Sequence, residues 1–152
     1  MIRLTDIYRG GKIDQADVDF LYRLLAERPG EANISHREMP TPEQHKQFVH
    51  RRPYACWYII GAVDGDGRQG PDVGSIYLTQ AREVGIFILR DYWGAGYARA
   101  ALAKLRELHP GRILANVAPT NERSLRFFSE RGRLIQHTYE LSNPDPEALN
   151  QD

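Results

Sequence analysis

The stretch EVGIFILRDYWGAGYARAAL, residues 83–102, places a strand, a glycine turn and a helix in direct succession. Its first part, residues 84–89, is a short apolar run rich in β-branched side chains, which predicts a strand covered on both faces. After the turn, Ala98, Ala101 and Leu102 begin an apolar pattern at helical spacing. A strand that leads through a short turn into a helix is typical of an α/β fold.

The turn contains Gly94 and Gly96, and two interpretations remain open from this stretch alone. A glycine turn before a helix leaves backbone N–H groups free at the positive end of the helix dipole, which favours a bound phosphate. Alternatively, the glycines serve only the backbone freedom of a tight turn. A Gly-x-Gly pair by itself does not decide between them.

Length and charge exclude several classes of protein. The 152 residues suit one domain, which we expect over residues 1–142, followed by a loose tail over residues 143–152. Twenty basic and twenty acidic side chains cancel, so we expect no nucleic acid or membrane partner. The first residues lack the apolar core of a signal peptide, and we expect a cytoplasmic protein.

No metal site is predicted. The aspartates of the turn at residues 64–67 resemble a calcium loop, but Arg68 and Ser75 stand where ligands are needed. His45 and His50 lie five residues apart, which is not the spacing of a helical metal pair, and we interpret both as surface residues. Cys56, the single cysteine, lies in an apolar strand and is predicted to be a buried, inert thiol.

The predicted elements follow one another as strand, two helices, three strands, helix, strand, helix and strand. Asp14, Thr41 and Asn121 (or Thr120) are candidate helix caps. The predicted strands cover residues 2–8, 54–63, 72–79, 84–89, 112–117 and 134–141.

With two local motifs, this order resembles the GNAT superfamily of acetyl-CoA-dependent N-acetyltransferases. The first motif is similar to the family's pyrophosphate loop, Gln/Arg-x-x-Gly-x-Gly/Ala. Gly96 and Ala98 match it, whereas Trp93 stands where Gln or Arg is usual. The second motif, Asn121-x-x-Ser124, resembles the family's helix beside the cofactor.

The resemblance implies a single mixed α/β domain with a central twisted sheet of about six to seven strands and about four helices on its two faces. It also implies acetyl-CoA as co-substrate. The implied cofactor contacts are Phe87, Ile88 and Leu89 on the strand, Gly94, Ala95, Gly96, Tyr97 and Ala98 in the loop, and Asn121 and Phe128 beyond it.

The implied reaction is direct attack of a primary amine on the thioester in a ternary complex. A base must take the amine proton, and Glu83 is the first candidate, with a solvated strand-end carboxylate as the alternative. His36 is the second candidate because its connection usually roofs the acceptor site in this superfamily; alternatively it only satisfies backbone groups of the loop.

Several functional alternatives stay open. We expect a small acceptor such as a nucleotide-linked amino sugar, with one or two of Tyr54, Trp57, Tyr58 and Tyr77 stacking on it. A protein N-terminus or a ribosomal protein is the alternative acceptor. Many family members have a proton-donating Tyr where Phe128 stands, so a non-catalytic acyl-CoA-binding module is the third interpretation. A homodimer rests on the resemblance alone.

Overall fold

A five-stranded mixed sheet forms the centre of the chain, in a computed structural model that describes residues 1–28 and 38–142. The strands lie side by side in their sequence order, and each pair is antiparallel except β4 and β5, which are parallel. The strands are β1 (Ile2–Asp6), β2 (Cys56–Val63), β3 (Gln69–Leu78), β4 (Glu83–Ile88) and β5 (Leu114–Ala115).

Four helices accompany the sheet: α1 (Gln15–Glu27), α2 (Pro42–His50), α3 (Tyr97–Leu108) and α4 (Glu122–Ser129). Three of them start where the capping residues predict. Asp14 accepts from the Ala16 N–H, Asn121 accepts from the Ser124 N–H, and Thr41 forms a complete capping box with Gln44.

Apolar residues cover both faces of the sheet. Ile60 and Ile76 pack with Leu105 of α3 on one face. The side chain of Ile59 points to the opposite face, because side chains alternate along a strand, and it packs there with Val18 and Leu21 of α1. The strand predicted to be covered on both faces was that of residues 84–89, and there the prediction holds only in part: Val84 and Leu89 are buried, whereas the residues between them are half-buried.

The parallel pair β4–β5 separates after two residues. Glu83 lies opposite Leu114 and Val84 opposite Ala115, after which β5 ends while β4 continues to Ile88. The second half of β4 therefore has a neighbour on one side only, β3. This exposed half-edge determines where a ligand can approach the sheet.

The sheet has five strands rather than the six to seven expected. Residues 134–141 form no strand, and Leu134 and Tyr139 are 74% and 78% exposed. Alternating apolar residues predict a strand only if an edge is available to pair with it, and β5, at the edge of the sheet, offers just two residues. The strand predicted over 112–117 is shortened to Leu114–Ala115, although β4 offers a free edge beyond Val84.

Some predictions fall outside the described residues, including that of a loose tail over residues 143–152 and that of His36 as a base. Within the described ranges, no helix is long and apolar enough to cross a membrane, and no cluster of three metal-ligating side chains occurs. Cys56 is buried as predicted, and burial raises the pKa of its thiol, which keeps it protonated.

Candidate active site

The backbone of β4 presents alternate residues to its open edge. Thr79 N–H donates to the Glu83 carbonyl at 2.9 Å, and Leu89 N–H donates to the Val73 carbonyl at 2.8 Å. Because hydrogen-bonded pairs alternate along an antiparallel ladder, Phe87 also directs its N–H toward β3. The N–H groups of Ile86 and Ile88 point the other way, into the space that β5 vacates.

Trp93 closes the far end of this edge. Its indole Nε1–H donates to the Ile88 carbonyl at 2.8 Å. The carbonyl is thereby satisfied, and the Ile88 N–H is left as the last backbone donor that β4 directs into the opening.

The glycine turn then brings the chain into α3. Gly94 and Gly96 have positive φ angles of 78° and 86°, which only glycine adopts without strain. Gly96 is the N-cap of α3 and offers no side chain to the first-turn N–H groups. A Cβ at either glycine would meet open space. The helix therefore begins with exposed donors at its positive end, a suitable geometry for an anion.

These elements and α4 enclose a cleft of about 460 Å³, which we call the α3–α4 cleft. Its lining includes Arg28, Arg99, Arg123 and Arg131 and, among the described residues, no carboxylate. The Arg123 guanidinium stacks on the Trp93 ring at 3.6 Å from its centroid. Arginine at the rim and helix donors at the floor make this cleft attractive to phosphate groups.

A second cavity of about 510 Å³ lies between the sheet and the two N-terminal helices, and we call it the α1–α2 cavity. Aromatic rings form much of its wall. Tyr54 and Tyr77 stack at 3.7 Å between centroids, and Trp57 meets Tyr54 edge-on at 4.7 Å. Burial, together with the neighbouring Tyr77, raises the pKa of the Tyr54 hydroxyl, so Tyr54 stays a neutral phenol.

Arg28, Tyr77 and Phe87 line both spaces, so the α3–α4 cleft and the α1–α2 cavity meet at these residues. The Arg28 guanidinium lies over the Phe87 ring at 4.4 Å. Burial lowers the pKa of Arg28, but an arginine remains charged at neutral pH. The junction therefore combines a cation, a phenol and an open strand edge.

His45 lines the α1–α2 cavity and is only 5% exposed, so its prediction as a surface residue was wrong. Its Nε2 lies 3.2 Å from the Val18 carbonyl and must be the donor, because a carbonyl only accepts. Burial lowers the pKa of the imidazole, which is therefore neutral near pH 7. His45 contributes no charge to the cavity at that pH.

Most of the predicted cofactor residues lie together in the α3–α4 cleft: Phe87, Ile88, Gly94, Gly96, Tyr97, Ala98, Asn121 and Phe128. Three predicted residues lie elsewhere. Leu89 is buried in the core, Ala95 is exposed beside the glycines, and Glu83 lies where β4 still pairs with β5, outside the lining of either space.

The arginines of the site were missed in the sequence. No motif in the sequence pointed to Arg28, Arg99 or Arg123 as site residues. Arg99 and Arg123 each follow a predicted helix start within three residues, which is a usable local signal for a phosphate site. Arg28 has no such signal because its place at the junction depends on long-range packing.

Solved structures with the same architecture are known. A domain from Methanocaldococcus jannaschii DSM 2661 superposes with a TM-score of 0.64 at 20% identity, covering 86% of this chain and 86% of that chain. An acetyltransferase from Thermus thermophilus has a TM-score of 0.61 at 20% identity, covering 87% and 86%. The spermidine/spermine N-acetyltransferase SpeG from Vibrio cholerae has a TM-score of 0.57 at 15% identity, covering 87% and 79%. At these identities the likeness establishes the fold.

No curated protein sequence matches the chain significantly. The family model described as "Acetyltransferase (GNAT) domain" matches residues 12–132, which is most of the chain and includes the glycine turn and α4. The chain therefore belongs to the GNAT family of acetyltransferases.

Proposed function

We propose that this protein transfers an acetyl group from acetyl-CoA to a primary amine in a ternary complex. The observation that carries the proposal is the meeting of two spaces beside the open edge of β4. The α3–α4 cleft has the donors and cations for a phosphate-bearing cofactor, and the α1–α2 cavity has room for an acceptor. Two substrates held in adjoining spaces can react without a covalent enzyme intermediate.

The pyrophosphate of CoA fits the start of α3. First-turn N–H groups after Gly96 donate to its oxygens, and Arg123, held on the Trp93 ring, adds positive charge. Arg123 thereby compensates for the Gln or Arg that Trp93 replaces in the loop. Backbone donors bind phosphate whatever the loop side chains, so the substitution does not remove the site.

The β4 edge suits the thioester. The Ile88 N–H donates to the carbonyl oxygen, whose negative charge grows during attack, and the Ile86 backbone pairs with the pantetheine arm. Of the strand residues implied as cofactor contacts, the ladder alternation favours Ile88 over Phe87 as this donor, because the Phe87 N–H is directed to β3.

The attacking amine must lose its proton before it reacts. The charge of Arg28 at the junction lowers the pKa of a nearby ammonium and so favours the neutral amine. Glu83 remains the proposed base, and because it lies outside the lining of both spaces it would take the proton through a bridging water. The leaving group is the CoA thiolate, whose thiol has a pKa of about 8.5. The Tyr77 hydroxyl at the junction can donate a hydrogen bond to this thiolate, whereas the Phe128 side chain has no donor.

For the acceptor we keep a small amine such as a nucleotide-linked amino sugar as the first candidate. A protein N-terminus is the second. The stacked pair Tyr54 and Tyr77 supports a small planar or ring-shaped group, because a flat aromatic wall gains contact area from such a partner.

The decisive experiment measures thiol release from acetyl-CoA with a panel of amines, alongside calorimetry with CoA. We expect CoA binding and turnover of at least one small amine. Tight CoA binding without turnover of any amine would indicate the non-catalytic module, and a lack of CoA binding would contradict both functions.

Glu83→Gln tests the proposed base. If Glu83 takes the amine proton, the variant should turn over about 100-fold more slowly and bind CoA nearly as well. Glu107→Gln, an exposed carboxylate on α3, is the control. Unchanged rates for Glu83→Gln across the pH range would remove Glu83 from the mechanism.

Trp93→Ala should weaken CoA binding by up to about 10-fold. The variant loses a hydrogen bond worth about 1 kcal/mol and a cation–π contact worth about 0.5 kcal/mol, which together hold the end of β4 and Arg123 in place. Trp93→Phe keeps a ring for Arg123, so its CoA affinity, measured by calorimetry, should lie between those of Trp93→Ala and wild type. Equal affinity of all three proteins would show that Trp93 does not organise the loop.

A further inference from the structure

The charged side chains in the described lining of the α1–α2 cavity are both cations. Arg28 lines the cavity and also the α3–α4 cleft, and the exposed Arg51 lines the cavity alone. Among the described residues of the lining, none is an aspartate or a glutamate. Burial lowers the pKa of His45, so its imidazole is neutral at pH 7 and adds no charge to the cavity.

Trp57 gives a second, independent observation. The side chain is 5% exposed, lines the cavity, and its indole N–H has no hydrogen-bond partner within the described part of the chain. An indole N–H can only donate, and a buried donor without an acceptor is costly. A ligand whose acceptor oxygen reached this N–H from the cavity would remove that cost.

We propose that the acceptor is an amine that also carries an anionic group, a carboxylate or a phosphate, which binds toward Arg28 and the Trp57 indole N–H in the α1–α2 cavity. This rests on the proposed acetyl transfer. The anion accepts from the Trp57 N–H and is attracted by the Arg28 charge, while the aromatic wall of Tyr54 and Tyr77 contacts the rest of the molecule.

The same charges disfavour a polyamine. A second ammonium group would enter a lining that holds arginines and offers no described carboxylate to pair with it. The reacting amine escapes this repulsion because it reacts in its neutral form. The cavity therefore selects among acceptors by the charge of the group that lies away from the reacting amine.

Matched amines test the proposal directly. 4-Aminobutyrate, butylamine and putrescine share a four-carbon chain and differ in the far group: a carboxylate, a methyl group or an ammonium. O-Phosphoethanolamine against ethanolamine, and glucosamine 6-phosphate against glucosamine, test phosphate in the same way. We expect kcat/KM to be at least about 10-fold higher for the anionic member of each set that fits the cavity. The sets then show whether carboxylate or phosphate is the better anion.

Arg28→Gln should lower kcat/KM for every amine, because Arg28 also favours the neutral form of the attacking amine, but about 10-fold more for the preferred anionic amine than for its neutral partner. Arg28→Lys should recover part of the loss because it keeps the charge. Arg51→Gln, at an exposed position of the lining, is the matched control with a smaller effect. CoA affinity is measured for each variant, since Arg28 also lines the α3–α4 cleft.

Putrescine as the best substrate, or an equal loss for all amines in Arg28→Gln, would overturn the proposal. If no amine is turned over, that result contradicts the proposed acetyl transfer but does not test the preference for an anionic group. Binding then decides the inference: in the Trp93→Phe protein, where Trp57 is the single tryptophan, and with CoA present, 4-aminobutyrate or O-phosphoethanolamine should change the fluorescence at lower concentration than putrescine. Equal or weaker binding of the anions would contradict it.

Discussion

Gly96→Glu is expected to weaken CoA binding about 100-fold. A carboxylate about 6 Å from a phosphate charge costs about 3 kcal/mol at an effective dielectric constant of about 20. This cost corresponds to about two orders of magnitude in the dissociation constant. The left-handed backbone of residue 96 costs about 1 kcal/mol of stability for any residue except glycine, but this strain is present with and without CoA and does not enter the dissociation constant.

The direction of the new side chain makes this substitution informative. A Cβ at Gly96 meets no atom within 4 Å, so the glutamate can be accommodated without a clash at its first carbon. The loss of affinity, measured by calorimetry on a folded protein, should therefore come from the added charge at the ligand site.

Gly67→Glu is the matched control. Gly67 also has a positive φ, 80°, and open space around a Cβ, but it lies in the turn between β2 and β3. We expect a similar loss of stability there and a change in CoA affinity of less than about 2-fold. Gly96→Ala should show the strain alone. Equal CoA affinity for Gly96→Glu and wild type would show that the pyrophosphate binds elsewhere.

The helix starts could be predicted because their signals are local. Thr41, Pro42 and Gln44 contain the whole capping box of α2, and Asn121 reaches a donor only three residues away. The glycine turn was assigned for the same reason: Gly94 and Gly96 adopt positive φ angles in a turn that the adjoining strand and helix patterns already indicate.

The strand count and the site charges depend on contacts that are distant in sequence. The alternation in residues 134–141 is that of a strand, but pairing also requires a partner edge, and β5 supplies two residues. His45 shares a helix face with the apolar Val49 four residues later, a spacing that indicates burial and was overlooked. Arg28 reaches the junction only through the packing of α1 on the sheet.

Gly85→Ala is expected to lower kcat/KM about 100-fold without changing CoA affinity more than about 3-fold. Gly85 lies directly opposite Tyr77 in the β3–β4 ladder, and the Tyr77 ring covers it so closely that a Cβ would overlap the ring. An alanine must therefore push the ring from its place at the junction. A displacement of about 1 Å in a group that positions a substrate can cost about 100-fold in rate.

The cofactor contacts of β4 should survive this change. The antiparallel pairing directs the Gly85 backbone groups toward Tyr77, whereas the Ile86 and Ile88 groups face the cleft. The displaced ring loses its stack on Tyr54, where the centroids are 3.7 Å apart. The substitution should therefore impair use of the acceptor and not binding of CoA. Steady-state kinetics measures the first effect, and calorimetry with CoA measures the second.

Two further variants distinguish ring position from hydroxyl chemistry. Gly70→Ala adds the same methyl group at the other end of β3, where its nearest contact is the Ala62 carbonyl at 3.2 Å, and should leave kcat/KM within about 3-fold of wild type. Tyr77→Phe keeps the ring and removes the proton donor.

A comparison of Gly85→Ala with Tyr77→Phe then separates the two roles of Tyr77. A lower kcat/KM in Gly85→Ala with a near-normal value in Tyr77→Phe shows that the position of the ring matters, because only Gly85→Ala displaces it. Similar losses in both assign the role to the hydroxyl at the junction. Wild-type rates in a folded Gly85→Ala protein would show that Tyr77 does not shape the acceptor site.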